Sequence, residues 1–299
     1  MPIDRIDLTE ANGYILEEQG SAVIQDLVAN SAVERFARRE AMASRTKSVP
    51  RFVADAPEVV AEGDEIPAAD ATLDEVVLTA KKYAKLFHIS EEDVNDSLVD
   101  VLSTYKREWA SRFARKFDNA TLGVSVAADG TDAAPYTSLY RLISQAAGDN
   151  YITTGGAMSY DDLNAALGEV ETSSKFDAAN TVWMAHPKML KEIRGMVKGN
   201  SDLVLPDPLA GTPGSLFGYP LVVSYGAATS DVASDSPAGN PLLIVGNRQM
   251  LINGVRGGVE SVVSRDAEFA RDGVVLKTRV RRGFAVADAG AFAIVEKTA

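Results

Sequence analysis

The chain has 299 residues, a formal charge of −12, two histidines and no cysteine. With 46% hydrophobic and 24% charged residues it can bury a sizeable core of one large or two ordinary domains, which excludes global disorder. The missing cysteines exclude disulfides, thiolate-bound zinc, iron–sulfur clusters and thiol nucleophiles, and a pI near 4.7 speaks against a protein built mainly to grip nucleic-acid phosphates. No apolar run approaches the roughly 18 residues of a membrane-spanning helix. The start, MPIDRIDLTEANGY, lacks the cationic-then-apolar pattern of a secretory signal. The expectation is a soluble protein, intracellular at synthesis and without membrane contact.

In chain order, the first marked feature is acidic. Between Phe52 and Ala80 stand eight acids (Asp55, Glu58, Glu62, Asp64, Glu65, Asp70, Asp74 and Glu75) and no lysine or arginine. Pro57, Gly63 and Pro67 forbid a continuous helix there, and a turn over 61–67 predicts a hairpin. Its returning arm, 73–80, alternates as a strand does. An arm of about 15 residues reaches roughly 50 Å, against a radius of gyration near 19 Å for a compact chain of this length. A lone two-stranded ribbon is marginal in water, so this one needs a surface, which another subunit can supply. The alternative is a flexible acidic loop.

A long helix is predicted next, over 91–121. Ser90 can cap it, with Asp93 three residues on, and Glu91, Glu92 and Asp93 suit the positive end of the helix dipole. Val94, Leu98, Val101, Tyr105, Trp109, Phe113 and Phe117 form one apolar stripe, and Gly123 can end the helix. At 1.5 Å per residue this is roughly 46 Å of helix. The other face is basic, with Lys106, Arg107, Arg112, Arg115 and Lys116 against Glu108 alone. An acidic ribbon followed by a basic-faced helix suggests that the two meet, within a subunit or between subunits.

Beyond it, 124–157 is small and polar apart from Tyr140–Ile143, and 160–170 reads as a helix opened by Ser159 and Asp162. Thr181–Ala185 is a buried-strand candidate, and a helix with proline at its start follows over 187–196. The Pro- and Gly-rich stretch 200–219 reads as a long ordered loop. Strands are predicted over 221–224, 242–246, 259–265, 274–280 and 291–295, with Gly254–Gly258 as a turn between two of them. Helices mixed with strands in this way mean α+β.

No reactive constellation appears. His88 and His186 stand apart, nothing marks either as a ligand, and Asp161–Asp162 and Glu91–Glu92 are adjacent acids that do not face each other on a helix. Phosphate-binding glycine loops and the nucleophile-elbow pattern are absent. Lys277, Arg279 and Arg281 alternate along a strand and share a face, where they can touch nucleic acid weakly, pair with a neighbour's carboxylates, or simply be solvated. The reading is of a non-enzyme, with no catalytic, cofactor or metal site.

The order of parts, together with short motifs, resembles the tailed-bacteriophage major capsid proteins of the Hong Kong 97 type. The motifs are KKYAKLFHISEEDVNDS (81–97), DNATLG (118–123), VWMAHP (182–187), TPGSLFGYPLV (212–222), IVGN (244–247), Phe269 with Asp272–Val275, Arg279–Arg282 and AFAIV (291–295). They cover about 45 to 297 in the family's order. The resemblance implies an α+β fold with an N-terminal arm over 1–45 and an extended β-hairpin loop over 46–86. It implies a peripheral domain over 87–129 and 255–282 carrying the spine helix 91–121, and an axial domain over 130–254 and 283–299. It implies self-assembly into hexamers and pentamers of an icosahedral head that encloses double-stranded DNA, in a virion assembled in the host bacterial cytoplasm.

By the same resemblance, the acidic loop (Asp55, Glu58, Glu62, Asp64, Glu65, Asp70) would lie over a neighbour's peripheral domain. The helix face of Lys106, Arg107, Arg112, Arg115 and Lys116 is the expected receiver. The loop with Asn200, Asp202, Pro206, Asp207 and Pro208 would stand at a symmetry axis. Implied partners are copies of the chain, a portal, a scaffolding protein and possible cement or decoration proteins, with packaged DNA touched weakly and non-specifically. The type member's lysine–asparagine cross-link is not expected, because 48–80 has no lysine and the chain beyond Gly254 has no asparagine. Because the sequence starts at Met1 without the long scaffolding domain of some relatives, assembly is expected either with a separate scaffold or without one. Two rivals are an encapsulin-like nanocompartment shell packaging an enzyme cargo, and a soluble two-domain enzyme.

Overall fold

The computed structural model describes residues 31–53, 59, 72–90, 101–124, 135–146, 148–196, 214–229, 239–268 and 273–298. Two sheets and the helices around them organise these residues. One sheet grows around a long strand, β12 (Gly273–Val286). On one edge it pairs antiparallel with β4 (Lys81–Ser90) over ten residues. On the other edge it pairs in turn with β10 (Leu251–Val255) and β11 (Glu260–Glu268). Between those two strands, residues 256–259 stand against only 280–281, so β10 and β11 form one edge interrupted by a bulge. Gly257 turns it with φ +74°, a left-handed conformation that favours glycine. The short β1 (Arg38–Ala41) adds parallel to β10.

Strand alternation sorts β12 by parity. Val274, Leu276, Thr278, Val280, Arg282 and Phe284 are buried on one face. Against that face lies α2 (Val101–Asp118), following the five-residue α1 (Ala32–Phe36). Trp109, Phe113 and Phe117 of α2 stack in sequence at 5.4 and 5.7 Å between ring centroids, and Tyr83 of β4 meets Phe113 edge-on at 5.0 Å. The predicted apolar stripe is therefore real over its described part. After Asp118 the helix widens into a π turn, Asn119–Gly123. The predicted cap and first turn, 91–100, lie outside the described residues, and Ser90 is the last residue of β4.

The second sheet has the order β5-β13-β9-β6-β8-β7. Its strands are β5 (Tyr151–Thr154), β6 (Thr181–Ala185), β7 (Ser215–Leu216), β8 (Tyr219–Val223), β9 (Leu242–Asn247) and β13 (Phe292–Lys297). In the central strands β6 and β9 both faces are buried, which is why TVWMA carries no polar alternation. One face takes α4 (Tyr160–Thr172) and α5 (Pro187–Gly195) through Leu163, Val170, Met189 and Ile193. The other takes α3 (Leu139–Ala146) through Leu139 and Ile143, in the same core as α2. The predicted capping box of α4 forms: Ser159 and Asp162 bond each other's backbone N–H groups at 2.8 and 3.2 Å.

Local chemistry explains several motifs. In LFGY, Phe217 (φ +51°) and Gly218 (φ +87°) make the two-residue turn joining β7 to β8, with both residues left-handed as a type I′ turn requires. In IVGN, Gly246 has no room for a side chain, since a Cβ would sit 2.3 Å from the Phe292 ring. Gly254, expected in a turn, lies within β10; the turn is the bulge after it.

His186 is the N-cap of α5: its Nδ1 accepts the Lys188 N–H at 3.2 Å. Burial, helped by the charge of Lys188, pushes its pKa down to about 4 from 6.5. Below pH 6.5 the unfolded chain takes up a proton that the fold refuses. Stability contributed by neutral His186 therefore declines from about pH 6.5 down to about 4, and is constant above that window. Urea melts across pH 4–7 should show this decline in the wild type. A His186→Asn variant, which caps without titrating, should lack that component.

Candidate intersubunit surfaces

The predicted hairpin forms. β2 (Thr46–Val53) and β3 (Thr72–Thr79) pair antiparallel from Thr46↔Thr79 to Val53↔Thr72. Arg51 bridges the stem to Asp74, holding that carboxyl below its usual range, and also donates to the Ala287 carbonyl at 2.6 Å. Ser48 donates to Glu75 at 2.6 Å. At the foot, Lys47 lies 2.9 Å from Glu40 and holds that carboxyl low as well. Met42, Leu78, Ala80 and Ile252 pack beneath, with Val49, Val76 and Ala285 against them. The tip acids Asp55, Glu58, Glu62, Asp64, Glu65 and Asp70 lie outside the described residues, as do Asn200, Asp202, Pro206, Asp207 and Pro208.

The basic face of α2 differs from expectation in one residue. Lys106 is 1% exposed and belongs to the buried side, while Arg107 and Arg112 are exposed and Arg115 and Lys116 half-buried. Lys106 stands three residues before Trp109 and seven before Phe113, so helical spacing already placed it on the apolar stripe. Arg112 pairs with Glu108 at 2.5 Å, and the Arg115 guanidinium lies 4.8 Å from the Tyr225 ring centroid. None of these five cations is without an interaction inside the chain. An open groove of about 480 Å³ runs between α2 and β4, lined by Phe87, Tyr105, Trp109, Arg112 and Lys116 among others.

On the opposite face of the sheet, the pairing register sets Lys277 between Leu86 and Val262, and Arg279 between Ala84 and Glu260; Arg281 lies beside Lys82. The predicted shared face of Lys277, Arg279 and Arg281 is thus built. Arg279 pairs with Glu260, its Nε donating at 2.6 Å. Among the described residues no carboxylate pairs with Lys82, Lys277 or Arg281. Leu86 and Val262 are 51% and 45% exposed.

Sequence reasoning did not find the joint that ties these surfaces to the second sheet. Fully buried Asp118 accepts from Ser31 Oγ at 2.5 Å, from the Ala32 and Val33 N–H groups at 2.8 and 3.2 Å, and from Ser224 Oγ at 2.7 Å. Burial pushes its carboxyl up and the four donors oppose that. Next to it, the Asn119 amide donates to the carbonyls of Gly226 and Ala228, both at 3.0 Å. A Cβ on Gly123 would fall 2.0 Å from the Ala228 carbonyl oxygen. A second anchor is the buried ion pair of Glu34 with Arg282, whose guanidinium also donates to the carbonyls of Gly257 at 3.2 Å and Arg281 at 3.0 Å. The Tyr136 hydroxyl closes this site on the Arg282 carbonyl at 2.5 Å. The DNATLG motif was the available signal, but it gave no partner. Among the described residues no cluster of metal-ligating side chains forms, and no helix is long and apolar enough to cross a membrane.

A long-stranded sheet backed by one helix, a protruding hairpin at its foot and a second helix-covered sheet define an α+β chain of the Hong Kong 97-type capsid fold. The profile of the phage capsid family matches residues 12–297, and the chain belongs to that family. It is 27% identical over 156 residues to the probable major capsid protein gp17 of Mycobacterium phage D29 (52% of this chain, 46% of that protein). With its counterpart in Mycobacterium phage L5 it shares 28% over 122 residues (40% and 36%). The matched stretches thus span less than half of each curated relative. Among solved structures, a chain from Microbacterium phage Oxtober96 superposes with TM-score 0.68 at 18% identity (100% of this chain, 95% of that one). One from Gordonia phage Cozz gives 0.70 at 15% (90% and 87%), and the capsid of an empty GTA particle 0.66 at 18% (90% and 90%). At these identities the superpositions speak for the fold alone.

Proposed function

We propose that this chain is the shell subunit of a phage head. Copies assemble into hexamers and pentamers of an icosahedral capsid that encloses double-stranded DNA, in a virion built in the host bacterial cytoplasm. The observation that carries this is the family match, which runs almost the whole length of a chain with the corresponding fold. The chain then works by fitting to its own copies rather than by catalysis. The domain division is proposed as the resemblance implies it: arm 1–45, loop 46–86, peripheral domain 87–129 and 255–282, axial domain 130–254 and 283–299. The loop with Asn200 to Pro208 is proposed to stand at a symmetry axis, and the acidic hairpin tip to rest on a cationic surface of a neighbouring subunit. A portal and a scaffolding protein are proposed partners, with cement proteins optional and DNA touched weakly. The relatives' names favour a capsid and lend the encapsulin-like alternative nothing.

Electron microscopy of the purified full chain tests the reading. Closed shells are expected, and those from infected cells should contain DNA. A monomer on a sizing column, or shells filled with an enzyme cargo instead of DNA, would overturn it.

A further inference from the structure

A buried amide in β10 has no partner for either of its polar ends. Asn253 is 0% exposed, and neither its Oδ1 nor its Nδ2 meets a hydrogen-bonding group among the described residues. Native folds rarely leave both ends of a buried amide unpaired, and internal water is a common remedy. The pairing register says where this amide lies. Asn253 stands opposite Phe284 of β12 and beside Arg39 of β1, so it shares their face of the sheet. On that face Leu251 and Phe284 share a core with Val33 and Ala37 of α1, whereas Ile252 packs on the hairpin foot behind. Arg282 is the diagonal neighbour of Asn253, two residues before Phe284 on β12. Side chains in that relation stand about 7–8 Å apart.

The ion pair of Glu34 with Arg282, 1% and 3% exposed, also has capacity left over. Arg282 spends Nε on Glu34 Oε1 and Nη1 on two carbonyls, and its Nη2 makes no hydrogen bond among the described residues. Glu34 Oε2 accepts none either, since Arg39 Nη2 stands 3.9 Å away and donates instead to the Glu34 carbonyl at 2.8 Å. Two donors, Asn253 Nδ2 and Arg282 Nη2, thus accompany two acceptors, Asn253 Oδ1 and Glu34 Oε2. A water accepts and donates at once, and with two bonds of about 2.8 Å it spans groups roughly 5–6 Å apart. One acid and one base leave no net charge to attract an ion. We infer that α1, β10 and β12 enclose an internal hydration site, where one or two ordered waters join the Asn253 amide to Glu34 Oε2 and Arg282 Nη2.

The sign of a substitution separates a hydrated amide from an unpaired one. Asn253→Leu in the full-length chain keeps the approximate shape and removes the amide. With waters in place, it strands their remaining bonds, and the unfolding constant at fixed urea should rise about tenfold. An amide with no partner at all would instead be better replaced by leucine, so an unchanged or smaller unfolding constant would overturn the inference. Asn253→Ser, which still donates and accepts and leaves room for a further water, should lose less. A serine variant less stable than the leucine one would count against the site. In a chain already carrying Glu34→Leu with Arg282→Met, Asn253→Leu should cost little, because the waters have lost their other partners; an equal loss in both backgrounds contradicts the network. A density map that shows other internal waters reads the site directly. A peak is expected within about 3.2 Å of the Asn253 amide and of Glu34 Oε2 or Arg282 Nη2, and no peak there would overturn the inference.

Discussion

Replacing Asp118 with alanine is expected to destabilise the soluble subunit by about 3 kcal/mol or more, because four donors lose a buried anionic acceptor at once. Two of them are the first N–H groups of α1, which no intrahelical bond can satisfy. The other two are hydroxyls from separate parts of the chain, Ser31 and Ser224, so the loss loosens the N-terminal segment, α2 and the second sheet together. Asp118→Asn, which keeps the shape but turns an acceptor into a donor, should fall between the two. Urea midpoints of the three proteins measure this, and an unchanged midpoint for the alanine variant would show that the carboxylate is dispensable.

The second large effect is expected at Glu34. With Glu34→Ala the Arg282 guanidinium stays buried without its counter-charge, a loss of about 3–5 kcal/mol. Replacing both partners, Glu34→Leu with Arg282→Met, should recover much of it, since neither charge then remains to be buried. Part of the loss should persist, because Arg282 also fastens the bulge through the Gly257 carbonyl. A double-mutant cycle in urea reads the coupling, and additive single effects would mean that the pair acts as two independent residues.

Much of the fold could be read from the sequence wherever a local pattern and a tertiary partner agreed. The stem of the hairpin, the stripe of α2, the capping box at Ser159 and the doubly buried TVWMA strand are such places. The failures share a physical cause. The residue pattern of β4, with Lys81, Lys82 and Lys85, predicted no strand by alternation; it is a strand because β12 pairs with ten of its residues. β10 was hidden by Gly254, whose missing side chain makes room for Met42 rather than for a turn. The π turn at Asn119 depends on carbonyls more than a hundred residues away, which no local window contains. At the candidate interfaces the sequence showed which charges exist but not which are already spoken for. That distinction separates α2 from the strand face, and it needed the pairing register.

The glycine contacts behind Asp118 leave the seam between α2 and the 224–228 segment without free space. A closed surface tiled by a single kind of unit needs some tiles to tilt differently from others, so each unit must have somewhere to yield. The seam between α2 and the 224–228 segment is a poor place for it. Gly123 and Gly226 let two backbones touch so closely that even a methyl group is refused, 2.0 Å from Ala228 on one side and 2.4 Å from Asn119 on the other. A seam without slack passes rotation on instead of absorbing it. In the proposed shell the seam is therefore the rigid corner of the tile, and whatever adjustment the tiling demands has to be made elsewhere in the subunit.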